Sequence, residues 1–278
     1  MVTLSDEKIS SVQAFAKSIR QEIIRAITEA GSGHPGGSLS IADLIALLYE
    51  VELNVNPAQP HDPDRDRLVL SKGHAAPAAY AALALKGFFP REELAGLRKI
   101  GHMLQGHPDM KGTPGIDMST GSLGQGISSS CGIALAGKLD KKSYRVFAVM
   151  GDGEQEEGEV WEAAMFAAHY KLDNLTAFLD HNKLQIDGKI TDVMSPEPLP
   201  DKWRAFGWHV IEVNGHDVAA LYQAIEEAKT ITGQPSIVIM ETVKGKGVPQ
   251  MENQAGWHGK APTAEEGKLF LAELEGEH

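Results

Sequence analysis

The sequence contains 278 residues, with 38 acidic and 26 basic side chains and a formal net charge of −12 at pH 7. This acidic balance, with lysine and arginine scattered along the chain, argues against a nucleic-acid-binding protein. A composition of 42% hydrophobic and 23% charged residues is typical of a globular protein with a sizeable core, and it excludes extensive disorder.

The cysteine count and the distribution of apolar residues predict the compartment. The single cysteine, Cys131, cannot form an internal disulfide, so nothing indicates an oxidising environment. The N-terminus lacks the basic start and apolar core of a signal peptide. The longest charge-free stretch, 118–137, is rich in serine and glycine and too polar for a membrane span. We therefore expect a cytoplasmic protein without a membrane partner.

Apolar periodicity divides the chain into helices and strands. The pattern from Ile9 to Ile27 predicts a long amphipathic helix that stops at Gly31, and a second helix is expected from Ser40, a candidate N-cap, to about Glu52. Five short apolar runs predict strands at 68–70, 146–149, 175–179, 209–213 and 236–240. The segments between them are helical in character at 75–86, 123–138, 157–170 and 218–230.

Strands that are buried on both faces and alternate with helices indicate an α/β fold, with a mostly parallel sheet and helices on both faces. No linker separates two cores, so we expect a single domain over 1–278, in which 261–278 forms a C-terminal helix and tail.

Polar residues follow three of the predicted strands. They are Ser71–His74, Gly151–Glu154 and Asp180–Lys183. In a parallel sheet the ligand crevice lies beyond the carboxyl ends of the strands, so Asp152 and Asn182 are expected at neighbouring strand tips. Carboxylate and amide oxygens suit Mg²⁺ or Ca²⁺. Gly-Asp-Gly after a strand is also a common turn, in which the aspartate caps the next helix.

The motifs together resemble the transketolase family. Gly151-Asp152-Gly153 followed by Asn182 resembles the diphosphate- and Mg²⁺-binding motif of thiamine-diphosphate enzymes. Further segments resemble transketolase motifs in transketolase order, over nearly the whole chain, at 32–36, 70–75, 106–108, 120–126, 157–162, 182–188 and 258–262. The resemblance implies a thiamine-diphosphate-binding fold, and specifically the type of domain that binds the diphosphate of the cofactor.

The resemblance also implies a role for individual residues. Side-chain oxygens of Asp152 and Asn182 and the carbonyl of Leu184 would bind Mg²⁺. The implied cofactor-binding residues are His74, Gly121, Ser122, Leu123, Gly151, Asp152, Gly153, Glu154, Asn182, Ile186 and His258. A glycine at 153 fits physically because the missing side chain lets the backbone approach a phosphate.

Catalytic roles are implied for His34 and His107, which match histidines that contact the sugar, and for His258, which matches a proton shuttle. An imidazole suits this chemistry because its pKa lies near the working pH. Glu157 and Glu162 resemble an acidic pair that links two active sites across a subunit interface, although a solvated helix face is an alternative. The other histidines are interpreted as surface or structural residues: His61, His102, His169, His181, His209 and His216.

Departures from the family concern specificity. Ser122 stands where many transketolases carry proline, and Lys244 lies in a stretch where many members are apolar, so contacts to the cofactor ring are expected to differ. Segment 247–257 resembles a mobile loop near the substrate entrance, and its distinct composition leaves the sugar open.

The resemblance covers the first of three transketolase domains. The glutamate that activates the pyrimidine ring belongs to the second, so we expect the N-terminal subunit of a split transketolase. It would transfer a two-carbon ketol unit from a ketose phosphate to an aldose phosphate within pentose phosphate metabolism. The implied partner carries the pyrimidine-binding and C-terminal domains, in a heterotetramer of two copies of each chain. Alternatives are a component of another thiamine-diphosphate enzyme, such as 1-deoxyxylulose-5-phosphate synthase or an α-keto acid dehydrogenase, or a non-catalytic regulatory subunit.

Overall fold

The computed structural model describes residues 3–276. Its main sheet contains five parallel strands in the order β1-β2-β3-β7-β6. The strands are β1 (Arg67–Leu70), β2 (Val146–Gly151), β3 (Leu175–His181), β6 (His209–Asn214) and β7 (Ser236–Glu241). All five predicted strands and the predicted α/β class are confirmed. A small antiparallel ribbon of β4 (Leu184–Gln185) and β5 (Gly188–Lys189) was not predicted, because two-residue strands leave no periodicity.

The helices follow the predicted order with three short additions. They are α1 (Asp6–Ala30), α2 (Pro35–Leu39), α3 (Ala42–Leu47), α4 (Ala76–Leu85), α5 (Gln125–Leu139), α6 (Gly158–His169), α7 (Ile190–Val193), α8 (Leu199–Ala205), α9 (Val218–Thr230) and α10 (Ala264–Glu275). A single π-helical turn, Leu48–Glu52, extends α3. The predicted C-terminal helix is α10, and the last two residues of the predicted tail, 277–278, lie outside the described residues.

Two hydrophobic cores lie on opposite faces of the sheet. Along β2, Phe147 and Val149 contribute to the core beneath α1, α3, α4 and α9, whereas Ala148 and Met150 contribute to the core beneath α5, α6 and α8. Successive side chains of a strand point to opposite faces, so an uninterrupted apolar run fills both cores. The predicted covering of both faces by helices is thus confirmed.

The ends of α1 agree with the sequence. Ser5 caps its first turn by accepting a hydrogen bond from the Lys8 amide, and Gly31 ends it at φ 61°, a left-handed conformation that glycine adopts without a steric penalty. Ile19, Ile23 and Ile27 are fully buried along its inner face. Exclusion of this stripe from water stabilises the docked helix.

The predicted N-cap at Ser40 is wrong. Residues 35–39 form α2, Ser40 is the C-cap of that helix, and α3 begins after Ile41. The Ser40 hydroxyl instead donates to the buried Asp180 carboxylate at 2.7 Å and also lies 3.1 Å from the Gly37 carbonyl. A buried carboxylate requires donors, and this requirement outweighs a local capping preference.

The sheet brings the polar motifs to one edge. Lys72, Asp152, Asn182 and Lys244 each lie within three residues of the carboxyl end of β1, β2, β3 and β7, respectively. Parallel strands end at the same edge, so four segments far apart in sequence meet there. Between residues 3 and 276, no helix is both long enough and apolar enough to cross a membrane.

Candidate functional site

A cleft of about 230 Å³ lies beyond the carboxyl ends of β1, β2, β3 and β7. Most of the residues singled out from the sequence line it: His34, His74, Gly121, Leu123, Gly151, Asp152, Gly153, Glu154, Asn182, Leu184, Ile186 and His258. A cleft that gathers side chains from six separate motifs is the natural candidate for a binding site.

Four residues singled out from the sequence do not line the cleft: His107, Ser122, Glu157 and Glu162. His107 lies beside it, with its ring centroid 6.3 Å from that of His34. Ser122 is exposed, and Glu157 is exposed at the N-cap of α6. Glu157 and Glu162 therefore lie at the surface of α6 and not in the lining of the cleft.

The base of the cleft is a network of buried charges that we call the buried floor: Lys72, Asp152, Glu154, Asp180 and Asn182, all less than 9% exposed. At its centre the Lys72 ammonium donates to the Asp180 carboxylate at 2.5 Å and to the Gly37 carbonyl at 2.8 Å. Although burial favours the neutral acid, the Lys72 ammonium holds the pKa of Asp180 below its ordinary value. This ion pair crosses above the tip of β2 and joins the ends of β1 and β3.

Glu154 joins three of the motif loops. Its carboxylate accepts hydrogen bonds from the Ser71 hydroxyl at 2.5 Å, the Gly124 amide at 2.9 Å and the Gly151 amide at 3.0 Å. Burial raises the pKa of Glu154 above its ordinary value, despite these three donors. Both oxygens are already used, so the geometry assigns Glu154 to holding the loops in register beneath the cleft.

Three residues that line the cleft offer oxygens suited to a hard cation: Asp152 through its carboxylate, Asn182 through its side-chain amide and Leu184 through its main-chain carbonyl. The Asp152 carboxylate accepts from the Gly153 and Lys183 amides at 2.8 and 2.5 Å, and the Asn182 amide oxygen accepts from the Leu184 amide at 3.1 Å. Burial, followed by the negative charge of Asp180, raises the pKa of Asp152 to about 7. A bound cation would offset both effects, since it favours the ionised carboxylate.

The donor chemistry fits Mg²⁺ better than a transition metal. One carboxylate, one amide oxygen and the Leu184 carbonyl are hard ligands, and Mg²⁺ completes such partial sets with water and phosphate oxygens. Within the described residues, no three His, Cys, Asp or Glu side chains cluster as a metal site, so a metal here depends on those neutral oxygens. The Leu184 carbonyl accepts a hydrogen bond from the Lys244 ammonium at 3.0 Å, which places the positive charge of this lysine beside the three oxygens.

Four imidazoles lie together beside the buried floor, in a cluster that we call the histidine wall: His34, His74 and His258, which line the cleft, and His107, which lies next to it. Ring centroids of His34 lie 5.3 Å from His74 and 5.5 Å from His258, and those of His74 and His258 are 5.2 Å apart. The Lys244 ammonium lies 2.9 Å from Nδ1 of His258. An ammonium can only donate, so His258 carries its proton on Nε2, which is free to point elsewhere.

The electrostatics keep this wall uncharged at neutral pH. Burial, followed by Arg98, lowers the pKa of His34 to about 4, and burial, followed by Lys244, lowers the pKa of His258 to about 3. Burial and then Lys72 hold the pKa of His74 well below its ordinary value, and burial and then Arg98 lower the pKa of His107. Neutral imidazoles can donate at one nitrogen and accept at the other, as proton transfer requires.

Known proteins resemble this chain in sequence and in structure. The family model described as "transketolase, thiamine diphosphate binding domain" matches residues 11–274. A 6-deoxy-6-sulfo-D-fructose transketolase subunit from Clostridium sp. (strain MSTE9) is 48% identical over 99% of this chain and 99% of its own length. One subunit of an apulose-4-phosphate transketolase from Phocaeicola vulgatus is 41% identical over 96% of this chain and 95% of its own length. The chain belongs to the transketolase family.

Solved transketolases share this domain fold. The transketolase from Leishmania mexicana superimposes with a TM-score of 0.90 and 31% identity, over 95% of this chain and 41% of that one. The chain likewise spans about 40% of human transketolase, to which it is 44% identical. It therefore corresponds to the thiamine-diphosphate-binding domain of these longer enzymes, which favours a transketolase over the related-enzyme alternative drawn from the sequence.

Three charged residues at the site of this transketolase domain were not predicted from the sequence to act there: Lys72, Arg98 and Lys244. The motif that contains Lys72 predicts no role for this lysine, Lys244 was expected only to change contacts to the cofactor ring, and no motif includes Arg98. Lys72 and Lys244 line the cleft, and an Arg98 nitrogen lies 3.4 Å from Nδ1 of His34. A lysine two or three residues after a buried strand was the available signal for Lys72 and Lys244, because a buried ammonium needs a partner.

A larger cleft of about 950 Å³ shares Asn182 and Leu184 with the candidate site and extends towards β6. Its lining includes His181 and His216, which were interpreted as surface or structural residues. The convergence of the transketolase motifs on the smaller cleft, rather than volume, decides which of the two is the candidate site.

Proposed function

We propose that this chain is the cofactor-binding subunit of a split transketolase, in which it holds the diphosphate of thiamine diphosphate and Mg²⁺. The convergence of the motifs on one cleft beyond the strand ends carries the proposal. The almost complete overlap with two relatives named as transketolase subunits supports a separate partner chain. That partner would contribute the pyrimidine-binding and C-terminal domains.

The residues have complementary roles in this proposal. Asp152, Asn182 and the Leu184 carbonyl would hold Mg²⁺, while Lys244 and His74 would offer positive charge and a hydrogen bond to the diphosphate. Gly151 and Gly153 leave room for the phosphates because they carry no side chain. Gly121, Ser122, Leu123 and Ile186 would contact the rings. When bound, thiamine diphosphate supplies the carbon that accepts the ketol unit.

The histidine wall would act on the sugar. His34 and His107 would contact the substrate near the reacting carbons, and His258, with its proton on Nε2, would pass a proton to or from a substrate oxygen. These are neutral groups, so each can accept or donate without first losing a charge. The sugar is proposed to be a ketose bearing a phosphate or sulfonate, as the names of the two bacterial relatives indicate for those proteins.

An exposed face on α5 and α6 supports self-association. Leu139, Met165, Phe166 and Tyr170 are exposed by 73, 56, 36 and 47%, and α5 carries no charged residue from Gln125 to Gly137. Exposed apolar patches of this kind mark interaction surfaces. We propose that two copies of the chain meet here, with Glu157 and Glu162 at the contact, in an assembly of two subunits of each kind.

Calorimetric titration with thiamine diphosphate, with and without Mg²⁺, tests the cofactor assignment. We expect Mg²⁺-dependent binding by the wild type and its loss in Asp152→Ala. Asp173→Ala is the matched control, because Asp173 also accepts from a backbone amide, that of Gly233, but its other donor is the Lys138 ammonium and it precedes β3, at the other end of the strands from the cleft. Wild-type affinity in Asp152→Ala would show that the metal assignment is wrong.

Ketol transfer tests the split arrangement. The chain is expected to be silent alone and active with a partner chain. A useful donor panel contains xylulose 5-phosphate, fructose 6-phosphate, 6-deoxy-6-sulfofructose and apulose 4-phosphate. Robust activity of the chain alone would overturn the split arrangement, and cofactor binding without activity in the assembled complex would favour the regulatory alternative.

A further inference from the structure

A second buried ionic cluster lies outside the cleft, between α1, α3 and the turn after β6. Arg20 donates to both oxygens of Asp43, at 3.0 and 2.5 Å, and Nδ1 of His216 lies 2.7 Å from the same carboxylate. Arg20 and Asp43 are both less than 10% exposed. Although burial favours the neutral acid, hydrogen bonds from His216 and Arg20 hold the pKa of Asp43 below its ordinary value.

The hydrogen bonds of His216 fix which nitrogen carries the proton. The Val243 amide donates to Nε2 of His216 at 2.9 Å, so this nitrogen offers a lone pair. Nδ1 must then carry the proton that is donated to Asp43. Asp43, His216 and the Val243 amide therefore form a directed chain of hydrogen bonds, similar in logic to a carboxylate that orients a catalytic imidazole.

The chain of hydrogen bonds ends one residue before Lys244. The segment after β7 is held at further points, because the Gly245 amide donates to the Gly36 carbonyl at 3.0 Å and Nε of Arg20 donates to the Lys246 carbonyl at 3.0 Å. The turn that carries His216 is clamped as well, since a Cβ at Gly215 would lie 2.4 Å from the Thr242 side chain. The cluster thus controls the backbone on both sides of Lys244.

Lys244 connects this cluster to the cleft, because its backbone is held by the cluster and its side chain lines the cleft. Its side chain is 2% exposed, and its ammonium contacts the Leu184 carbonyl and Nδ1 of His258. A buried ammonium is useful for binding phosphate only if its donors are held in place, because a displacement of about 1 Å weakens such contacts substantially.

We propose that Asp43 and His216 form a positioning pair that sets Lys244 in the cleft and thereby tunes the affinity for a magnesium-bound diphosphate. The inference rests on the proposed function. His216 touches neither the cleft lysine nor His258 directly and acts through the backbone of Val243.

Two conservative variants separate this role from a contribution to stability. The amide nitrogen of asparagine can stand near the position of Nδ1, and the amide oxygen of glutamine near that of Nε2. His216→Asn keeps a donor for Asp43 and loses the acceptor for Val243, whereas His216→Gln keeps that acceptor. We expect His216→Asn to weaken calorimetric binding of magnesium pyrophosphate about tenfold, and His216→Gln to retain most of the affinity.

A double-mutant cycle with Lys244→Met completes the test. If His216 acts through Lys244, His216→Asn has no further effect on affinity in the Lys244→Met background, whereas independent effects would add. His209→Gln is the matched control, because His209 pairs with Glu227 at 2.7 Å on the outer strand β6. Melting temperatures measured in parallel report the structural contribution.

The outcomes are distinct. Three results would each overturn the positioning role while the proposed function stands. The first is full affinity in His216→Asn, and the second is an equal loss of affinity in His216→Asn and His216→Gln that follows their melting temperatures. The third is additivity of the two effects in the double-mutant cycle. Absence of magnesium pyrophosphate binding in the wild type would overturn the proposed function, and the inference with it.

Discussion

The buried floor and the histidine wall are neighbours at the same site but are built in opposite ways. In the floor, each acidic group accepts hydrogen bonds from nearby donors. Asp180 has four such donors: Ser40, Lys72, Asn182 and Thr242. In the wall, four rings lie 5.2 to 6.3 Å apart, and the nearest polar partners of His34 and His258 are the cations Arg98 and Lys244.

This difference shows how one cleft can combine rigidity with chemistry. Paired charges fix the loops that would carry the metal and the diphosphate, because a buried charge without its partner is costly. The neutral imidazoles of His34 and His258 each meet a cation at Nδ1 and keep Nε2 for a substrate, and they stay neutral because burial and nearby cations oppose protonation. The floor therefore determines position, and the wall is suited to proton transfer.

The largest expected effect comes from breaking the central pair of the floor. Lys72→Met leaves the Asp180 carboxylate, which is fully buried, without its cation, and we expect the free energy of unfolding to fall by about 3–5 kcal/mol. Urea unfolding measures this change. Lys183→Met is the control, because its ion pair with Glu241 is exposed and should contribute less than about 1 kcal/mol. Equal losses in the two variants would show that burial does not strengthen the dependence on Lys72.

An intermediate effect is expected at Glu154. Glu154→Gln replaces one carboxylate oxygen with an NH₂ group. Because each oxygen of Glu154 accepts from a backbone amide and NH₂ cannot accept, one amide loses its hydrogen bond. We expect the free energy of unfolding to fall by about 1–3 kcal/mol. Glu156→Gln, two residues along and exposed, should stay within about 0.5 kcal/mol of the wild type. Chemical denaturation of the two variants compares them. Indistinguishable stabilities would argue against the role of Glu154 in joining the three loops.

The smallest effect at neutral pH concerns the histidine wall, whose contribution to stability appears only as the pH falls. The unfolded chain protonates its histidines near pH 6.5, whereas folded His34 and His258 resist protonation down to about pH 4 and 3, where their folded pKa values lie. The unfolded state therefore binds more protons below pH 6.5, and stability falls as the pH is lowered from 7 towards 4. The double variant His34→Gln with His258→Gln should show a shallower fall between pH 7 and 5 in urea titrations. An unchanged slope would contradict the depressed pKa values.

Much of the architecture followed from local pattern. Apolar runs marked all five strands of the main sheet, and the stripe from Ile9 to Ile27 marked α1, because burial on one or two faces leaves a period that is readable along the chain. The short helices α2, α7 and α8 and the ribbon β4–β5 escaped, since segments of two to seven residues contain too few turns or alternations to establish a period.

The sequence by itself determined the fold class, the family and most of the residues that line the cleft, because transketolase motifs keep their order and each strand end is recognisable. Tertiary structure alone decided how those residues are used. Ser71 and Glu154 are separated by 83 positions, Lys72 and Asp180 by 108, and Asp43 and His216 by 173, yet each pair shares a hydrogen bond. Periodicity reports whether a residue is buried, but the identity of its partner depends on which strand tips become neighbours in the folded sheet. That is why Lys244 seemed a departure from the family in the sequence, whereas in the structure it lines the cleft and contacts Leu184 and His258.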